Sequence, residues 1–260
     1  MTTLYVLWQD PVSRLWHPVG LLGHSGSRYY FQYTRGALSS KHFEPFARMR
    51  DLRTKYESES LFPTFANRLI SKNRPEYKNM ISWLGLNAET PDIQFHMLSL
   101  LGGQRETDKI RMIPRPERSS SGTFNIRFFV HGLRYMVENA AEEATRLEKG
   151  EELILGLEAN NPNDKDAISV AKTSPGCMLG YVPRYYAHDL RKVIQDKECK
   201  RLNVKVLRVN PDAPLSMRIL CEVESTWPDD YVPFISEEYW PLDKDINGNN
   251  NAHRRNLSLA

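Results

Sequence analysis

The sequence predicts an α+β protein in two parts: a β-meander followed by a helical module, and then a small β-barrel with two flanking helices. Three observations lead to this prediction. Short strand-forming runs bounded by turn residues recur in both parts. Two stretches of the second part place apolar residues at helical spacing. A segment rich in proline, serine and charge, residues 113–123, separates the parts as a linker.

The first module, residues 1–112, opens with strand formers and continues into helical sequence. A turn at residues 24–27 joins the second and third strands, and Leu84-Gly85 ends a helix because glycine suits the position after a helix end. The predicted elements are strands at residues 4–8, 19–22 and 29–33, followed by mostly helical chain over residues 61–101.

The second module, residues 124–227, carries the barrel. Its elements are six predicted strands at residues 124–130, 152–157, 167–171, 178–182, 202–209 and 216–224, and two helices at 137–148 and 186–194. A C-terminal extension follows over residues 228–260. From about residue 243 it holds too few apolar side chains to build a core, so we expect disorder there.

Charge is unevenly spread along the 260 residues. Residues 1–123 hold 17 Lys and Arg against 11 Asp and Glu, a net +6. Residues 124–227 hold 15 of each, and residues 228–260 hold 3 against 6, a net −3. A neutral second module argues against coating duplex DNA by bulk charge, and leaves open a pocket for one nucleic-acid end. Its basic residues cluster at 184–208.

Several functional classes lack their sequence signals. No apolar run is long enough for a membrane helix, and the N-terminus lacks the features of a signal peptide, so we expect a cytoplasmic protein. Three cysteines without a CxxC pair predict no zinc site. P-loop, dinucleotide and HExxH motifs are missing, so we expect no cofactor and no enzyme activity. A hydrolase or nuclease site built from distant residues stays open as an alternative.

One polar stretch interrupts the second module. Residues 160–166, Asn-Asn-Pro-Asn-Asp-Lys-Asp, lie between two apolar runs. Proline, asparagine and aspartate favour turns, so the stretch reads as a hairpin connection. Alternatively, it presents polar groups to a ligand.

Three ordered motifs give this stretch a context. They are G-x-R-Y ending at Tyr135, E-x-x-N-P-x-D-x-x-A-I-x-V ending at Val170, and G-Y-V-P ending at Pro183. In this order and spacing, residues 124–226 resemble the HIRAN domain. The resemblance implies an OB-like barrel that captures the free 3′-hydroxyl end of single-stranded DNA.

The resemblance also implies roles for single residues. Asp164 matches the aspartate that lies against the terminal 3′-hydroxyl, and Asn163 stands where the family usually has a base-stacking aromatic residue. Arg134 and Tyr135 match a phosphate-binding arginine and a base-stacking tyrosine. Tyr181 and Arg184 fall where the family contacts the DNA backbone. Tyr185 lies near enough to contribute, although the resemblance does not cover it. Two structural alternatives remain: Asp164 caps the turn, or Tyr135 belongs to the core.

The first module resembles, over residues 4–80, the N-terminal subdomain of HipA-type toxin kinases, without a counterpart of the kinase body. Two functions follow as expectations. One is a DNA-binding protein in repair, replication or phage defence. The other is an antitoxin-like partner that holds a kinase or defence enzyme through its first module. Residues 100–108 form a helix end and loop in which Gly102-Gly103 either binds a phosphate or caps the helix.

Overall fold

The computed structural model describes residues 2–105, 108–162, 164–174, 176–195, 202–226 and 236–242. Contacts divide them into two units. The first contains the residues up to Tyr77, residues 88–115 and residues 236–242. The second contains residues 78–87 and the described residues between 116 and 226.

The first unit is built on an antiparallel sheet of five strands. Its order is β4-β3-β2-β1-β5, so the predicted meander forms its centre. The strands are β1 (Thr2–Gln9), β2 (Trp16–Ser25), β3 (Arg28–Tyr33), β4 (Tyr56–Ser58) and β5 (Ile110–Pro114). One apolar core lies on this sheet and contains Leu4, Phe31, Tyr33, Phe65 and Leu98.

The fifth strand corrects the linker prediction. Ile113 and Pro114 belong to β5, in which Ile113 pairs with Tyr5 and is buried. The sequence suggests that Pro114 interrupts a strand, because proline lacks the backbone N–H that donates hydrogen bonds within a sheet. Here it ends a strand at the edge of the sheet, where that loss is tolerated.

Helices occupy less of residues 61–101 than the sequence predicts. The helical segments are α1 (Pro63–Ala66), α2 (Tyr77–Trp83) and α3 (Ile93–Leu101). Pro75 and Pro91 interrupt the helical chain between them. The expected end at Leu84-Gly85 is confirmed, since α2 ends at Trp83 and Gly85 has a φ of +67°.

The second unit contains two three-stranded sheets, ordered β10-β11-β6 and β7-β8-β9. The strands are β6 (Thr123–Phe129), β7 (Ile154–Leu157), β8 (Ile168–Lys172), β9 (Cys177–Tyr181), β10 (Leu202–Val209) and β11 (Ile219–Thr226). All six predicted strands are present. The helices are α4 (Ala140–Thr145) and α5 (Arg184–Gln195). Helix α4 is shorter than predicted, and Val137 and Leu147 lie outside it.

The sheets do not close into the predicted OB-like barrel. Among the described residues, the isolated bridges His131↔Tyr181 and Glu152↔Lys205 join them, in place of continuous ladders. Leu153 still donates a backbone hydrogen bond to Val204, at 2.9 Å. Beyond this point a cavity of about 320 Å³ opens, lined by Leu153, Ile154, Leu155, Ile194, Leu202 and Val204. Strand-forming runs between turn residues predict the strands but not this separation of their edges.

Residues 78–87 lie with the second unit although the sequence places them in the first module. Their contact centres on Asn210, which is buried after β10. Its side-chain amide donates to the carbonyl oxygens of Trp83, at 2.9 Å, and Met217, at 2.8 Å. The guanidinium of Arg208 donates to the Ser82 hydroxyl at 3.0 Å. A single boundary at residues 113–123, as predicted, therefore does not explain why residues 78–87 belong to the second unit.

Candidate nucleic-acid interface

A reciprocal backbone pair joins the residue before the first motif to the third motif. The N–H of His131 donates to the carbonyl of Tyr181 at 2.9 Å, and the N–H of Tyr181 donates back at 2.8 Å. Gly180 makes this approach possible, because a Cβ there would lie 2.2 Å from the His131 carbonyl oxygen. Its φ of +144° also suits glycine alone.

The first motif presents its two polar residues to solvent. After Gly132 the chain forms a short 3₁₀ turn at Leu133–Tyr135, with Leu133 buried beneath it. Tyr135 is 79% exposed, so the alternative that it belongs to the core is wrong. Arg134 is also exposed and has no ion pair or hydrogen bond with another described side chain. An exposed ring next in sequence to an exposed cation suits base stacking and phosphate binding.

The polar loop of the second motif is braced by its own side chains. The Asn161 amide donates to the Glu158 carboxylate at 2.7 Å, while its oxygen accepts the N–H of Asp164 at 3.1 Å. The Ala167 N–H then donates to the Asp164 carbonyl at 3.1 Å. These bonds fix where the Asp164 side chain starts. Asn163 lies outside the described residues.

Asp164 does cap the turn, as one of the alternatives predicts. Its Oδ1 accepts the N–H of Asp166 at 3.0 Å, and its Oδ2 lies 3.5 Å from Nε of Arg184. The side chain is 18% exposed. Each carboxylate oxygen has two acceptor positions, so the cap leaves room for a further donor.

Tyr181 points its hydroxyl at the same loop. The hydroxyl donates to the Glu158 carboxylate at 3.5 Å. Burial, followed by the charge and hydrogen bond of Glu158, raises the pKa of Tyr181 above its usual range. The phenol therefore stays neutral, and it remains a hydrogen-bond donor near the loop.

Helix α5 borders the loop with one basic face. Arg184, His188 and Arg191 follow at helical spacing, and their partners are Asp164, Asp166 at 3.0 Å and the Glu158 carbonyl at 3.3 Å. Arg184 remains 69% exposed. Tyr185 is half-buried and packs edge-on against His131, with the ring centroids 6.2 Å apart.

The structure thus brings the predicted residues Arg134, Tyr135, Asp164, Tyr181, Arg184 and Tyr185 onto connected elements of one unit. Sequence reasoning missed Glu158, Asn161, Asp166 and His188 as the groups that hold the loop. Glu158 and Asn161 could have been found, since the second motif contains both at a spacing of three.

Gly102-Gly103, in the first unit, follows the structural alternative. The Gly102 N–H donates to the Leu98 carbonyl at 2.8 Å and closes α3, with a φ of +69°. Arg68 donates to the Gly103 carbonyl at 3.1 Å and pairs with Asp108. The pair of glycines therefore serves as a helix cap held by a half-buried arginine–carboxylate pair.

The described part of the chain contains neither a membrane-spanning helix nor a metal-binding cluster. No helix there is long and apolar enough to cross a membrane. Within the same residues, no group of three His, Cys, Asp or Glu side chains is arranged to hold a metal ion.

Comparison with known proteins agrees with the three motifs. The family model of the HIRAN domain matches residues 123–228. The crystal structure of the HIRAN domain of human HLTF matches with 21% identity and a TM-score of 0.32, covering 41% of this chain and 81% of that one. A crystal structure of a protein from Lactobacillus plantarum matches with 23% identity and a TM-score of 0.32, covering 40% and 97%.

No curated protein matches the chain. The family match begins at residue 123, so the resemblance of the first module to HipA-type kinases stays a prediction. The resemblance drawn from the three motifs over residues 124–226 is confirmed, and the match supports a HIRAN domain at residues 123–228.

Proposed function

We propose that this protein binds DNA through its HIRAN domain and recognises a single-stranded 3′ end. The observation that carries the proposal is the exposed Arg134–Tyr135 pair, which the His131–Tyr181 bridge joins to the elements bearing Asp164 and Arg184. Stacking, phosphate binding and an acceptor for a hydroxyl are thereby available on connected elements.

The end-reading step falls to Asp164. An ionised carboxylate accepts hydrogen bonds and donates none, so it suits the donor of a terminal 3′-hydroxyl. A 3′-phosphate in the same place would set negative charge against negative charge. The Asp166 N–H keeps Asp164 in place if Arg184 turns towards the DNA backbone.

The remaining contacts would be independent of sequence. Tyr135 offers its ring face to any base, and stacking of this kind contributes about 1–3 kcal/mol per base. Arg134 and Arg184 offer charge to phosphates, and Tyr181 offers a neutral hydroxyl beside them. We propose binding without turnover, in repair, replication or phage defence, where such ends arise.

Substitution of Arg134 tests the proposal. In Arg134→Ala, fluorescence anisotropy with a short 3′-hydroxyl oligonucleotide should show weaker binding and a salt slope reduced by about 0.7. Lys149→Ala is the matched control, because Lys149 is an exposed cation of the same unit without a described ion-pair partner. Equal affinities of Arg134→Ala and the parent would contradict the assignment.

A further inference from the structure

Residues 236–242, Ser-Glu-Glu-Tyr-Trp-Pro-Leu, lie against the first unit. They form a short 3₁₀ turn at Glu237–Tyr239 followed by extended chain. Their partners lie about 200 positions earlier in the sequence, as in the Arg35–Glu237 and His17–Glu238 pairs separated by 202 and 221 residues. The contact therefore resembles the docking of a separate peptide more than a local turn.

The main chain of this segment pairs with the end of β3. The Arg35 N–H donates to the Trp240 carbonyl at 2.9 Å, and the Leu242 N–H donates to the Tyr33 carbonyl at 2.8 Å. Pro241 faces Thr34 in an antiparallel bridge between these bonds. Proteins that bind extended peptides by strand addition use the same backbone pairing, and side chains add the specificity.

The acidic and aromatic side chains of the segment contact basic side chains of the first unit. Glu237 pairs with Arg35 at 3.0 Å, and Glu238 lies 3.3 Å from Nδ1 of His17. The Arg35 guanidinium also lies over the Trp240 ring, 5.0 Å from its centroid. An indole face attracts a cation placed over it, so Arg35 contacts both an acidic and an aromatic residue of the segment.

An aromatic contact completes the set. Tyr239 packs edge-on against the buried ring of Tyr5 in β1, with the ring centroids 4.7 Å apart. Net charge is also complementary, since residues 1–123 carry +6 and residues 228–260 carry −3. The surface made by Tyr5, His17 and residues 33–35 is here called the tail groove.

We propose that the tail groove is a binding site for extended acidic–aromatic peptide segments of a partner protein, and that residues 236–242 occupy it as an intramolecular ligand. The partner segment carries two neighbouring carboxylates followed by two aromatic residues. Because the occupant is tethered, it acts at a high effective concentration, and a partner displaces it only by mass action or by higher affinity.

The test uses the full chain and a labelled peptide of the sequence Ser-Glu-Glu-Tyr-Trp-Pro-Leu. Glu237→Lys weakens the internal ligand at a side chain that is 72% exposed, so we expect the fold to be retained. Fluorescence anisotropy should show that this variant binds the peptide about tenfold more tightly than the parent. Adding Arg35→Ala should abolish the gain, and Glu44→Lys, the same charge change at another exposed glutamate of the first unit, should leave binding at the parental level.

Absence of peptide binding to folded Glu237→Lys would overturn the proposal. Dimerisation that grows with concentration and disappears in Glu237→Lys would also overturn it, because the occupant would then be a second copy of the chain. If Glu237→Lys fails to fold, hydrogen exchange of the Leu242 amide in the parent decides. Excess peptide should accelerate that exchange, and an unchanged rate would contradict displacement.

Discussion

The backbones of His131 and Tyr181 form a reciprocal pair of hydrogen bonds, at 2.9 and 2.8 Å, and so hold together two segments 50 positions apart. This pair places the turn of Arg134 and Tyr135 beside the element that leads into α5. The position of the candidate interface residues therefore depends on a backbone contact, and not only on contacts between their side chains.

Gly180→Ala should break this contact. Its Cβ would lie 2.2 Å from the His131 carbonyl oxygen at a φ of +144°, so the chain must move or unfold. We expect a loss of unfolding free energy of about 1–3 kcal/mol in urea denaturation. Weaker binding of single-stranded DNA should accompany it.

Gly176→Ala is the control for that change. Gly176 is exposed, and the methyl group that alanine adds there would lie 4.0 Å from its nearest neighbour, the Thr173 carbonyl oxygen. Parental stability is expected. If both alanine variants unfold at the same urea concentration, the close approach at Gly180 is not what holds the bridge.

Asn210→Ala should loosen residues 78–87. The substitution removes the side-chain amide that donates to the carbonyl oxygens of Trp83 and Met217, and so leaves both oxygens without this donor. A lost buried hydrogen-bond partner costs about 1–3 kcal/mol. Hydrogen exchange of the amides of residues 84–86 should accelerate, whereas Asn203→Ala, in the preceding strand β10, should not change it.

Stability should fall at alkaline pH in part through Tyr29. Burial, and then the nearby Asp92 carboxylate, raises the pKa of Tyr29 from 10.0 to about 12. Because the folded-state pKa is raised, the unfolded chain loses this proton first, and stability is lost as pH rises from about 10 to about 12. The contribution is fully present below pH 10.

In Tyr29→Phe, the free energy of unfolding should therefore fall less steeply between about pH 9.5 and 11 than in the parent. Urea denaturation at pH intervals of ~0.5 would measure this slope. Tyr135→Phe removes an exposed phenol instead and serves as the control. Identical slopes for Tyr29→Phe and the parent would contradict the assignment of the buried phenol.

Sequence reasoning located most strands, because strand-forming residues between turn residues mark them. It missed β5, since Pro114 reads as a linker residue, and it expected a closed barrel, since strand patterns carry no information about how far β7 and β10 separate. It also missed the docking of residues 78–87, which rests on one buried amide, that of Asn210, contacting residues distant in sequence.

The candidate interface was predictable to a similar degree. The resemblance named Arg134, Tyr135, Asn163, Asp164, Tyr181 and Arg184 as site residues, and Tyr185 was added as a neighbour. The role of each in DNA binding stays a prediction, and Asn163 lies outside the described residues. Periodicity could not foresee that Tyr135 is exposed or that Asp164 both caps its turn and pairs with Arg184. Those properties depend on the fold around each residue and not on its neighbours in the sequence.

The most direct test compares one oligonucleotide ending in a 3′-hydroxyl with the same oligonucleotide ending in a 3′-phosphate, by fluorescence anisotropy at two salt concentrations. We expect the parent to prefer the hydroxyl by about tenfold or more, since like charges at a contact are costly. Asp164→Asn, which keeps an oxygen for the Asp166 N–H, should narrow that preference. Equal binding of both ends by the parent would contradict 3′-end recognition by this domain.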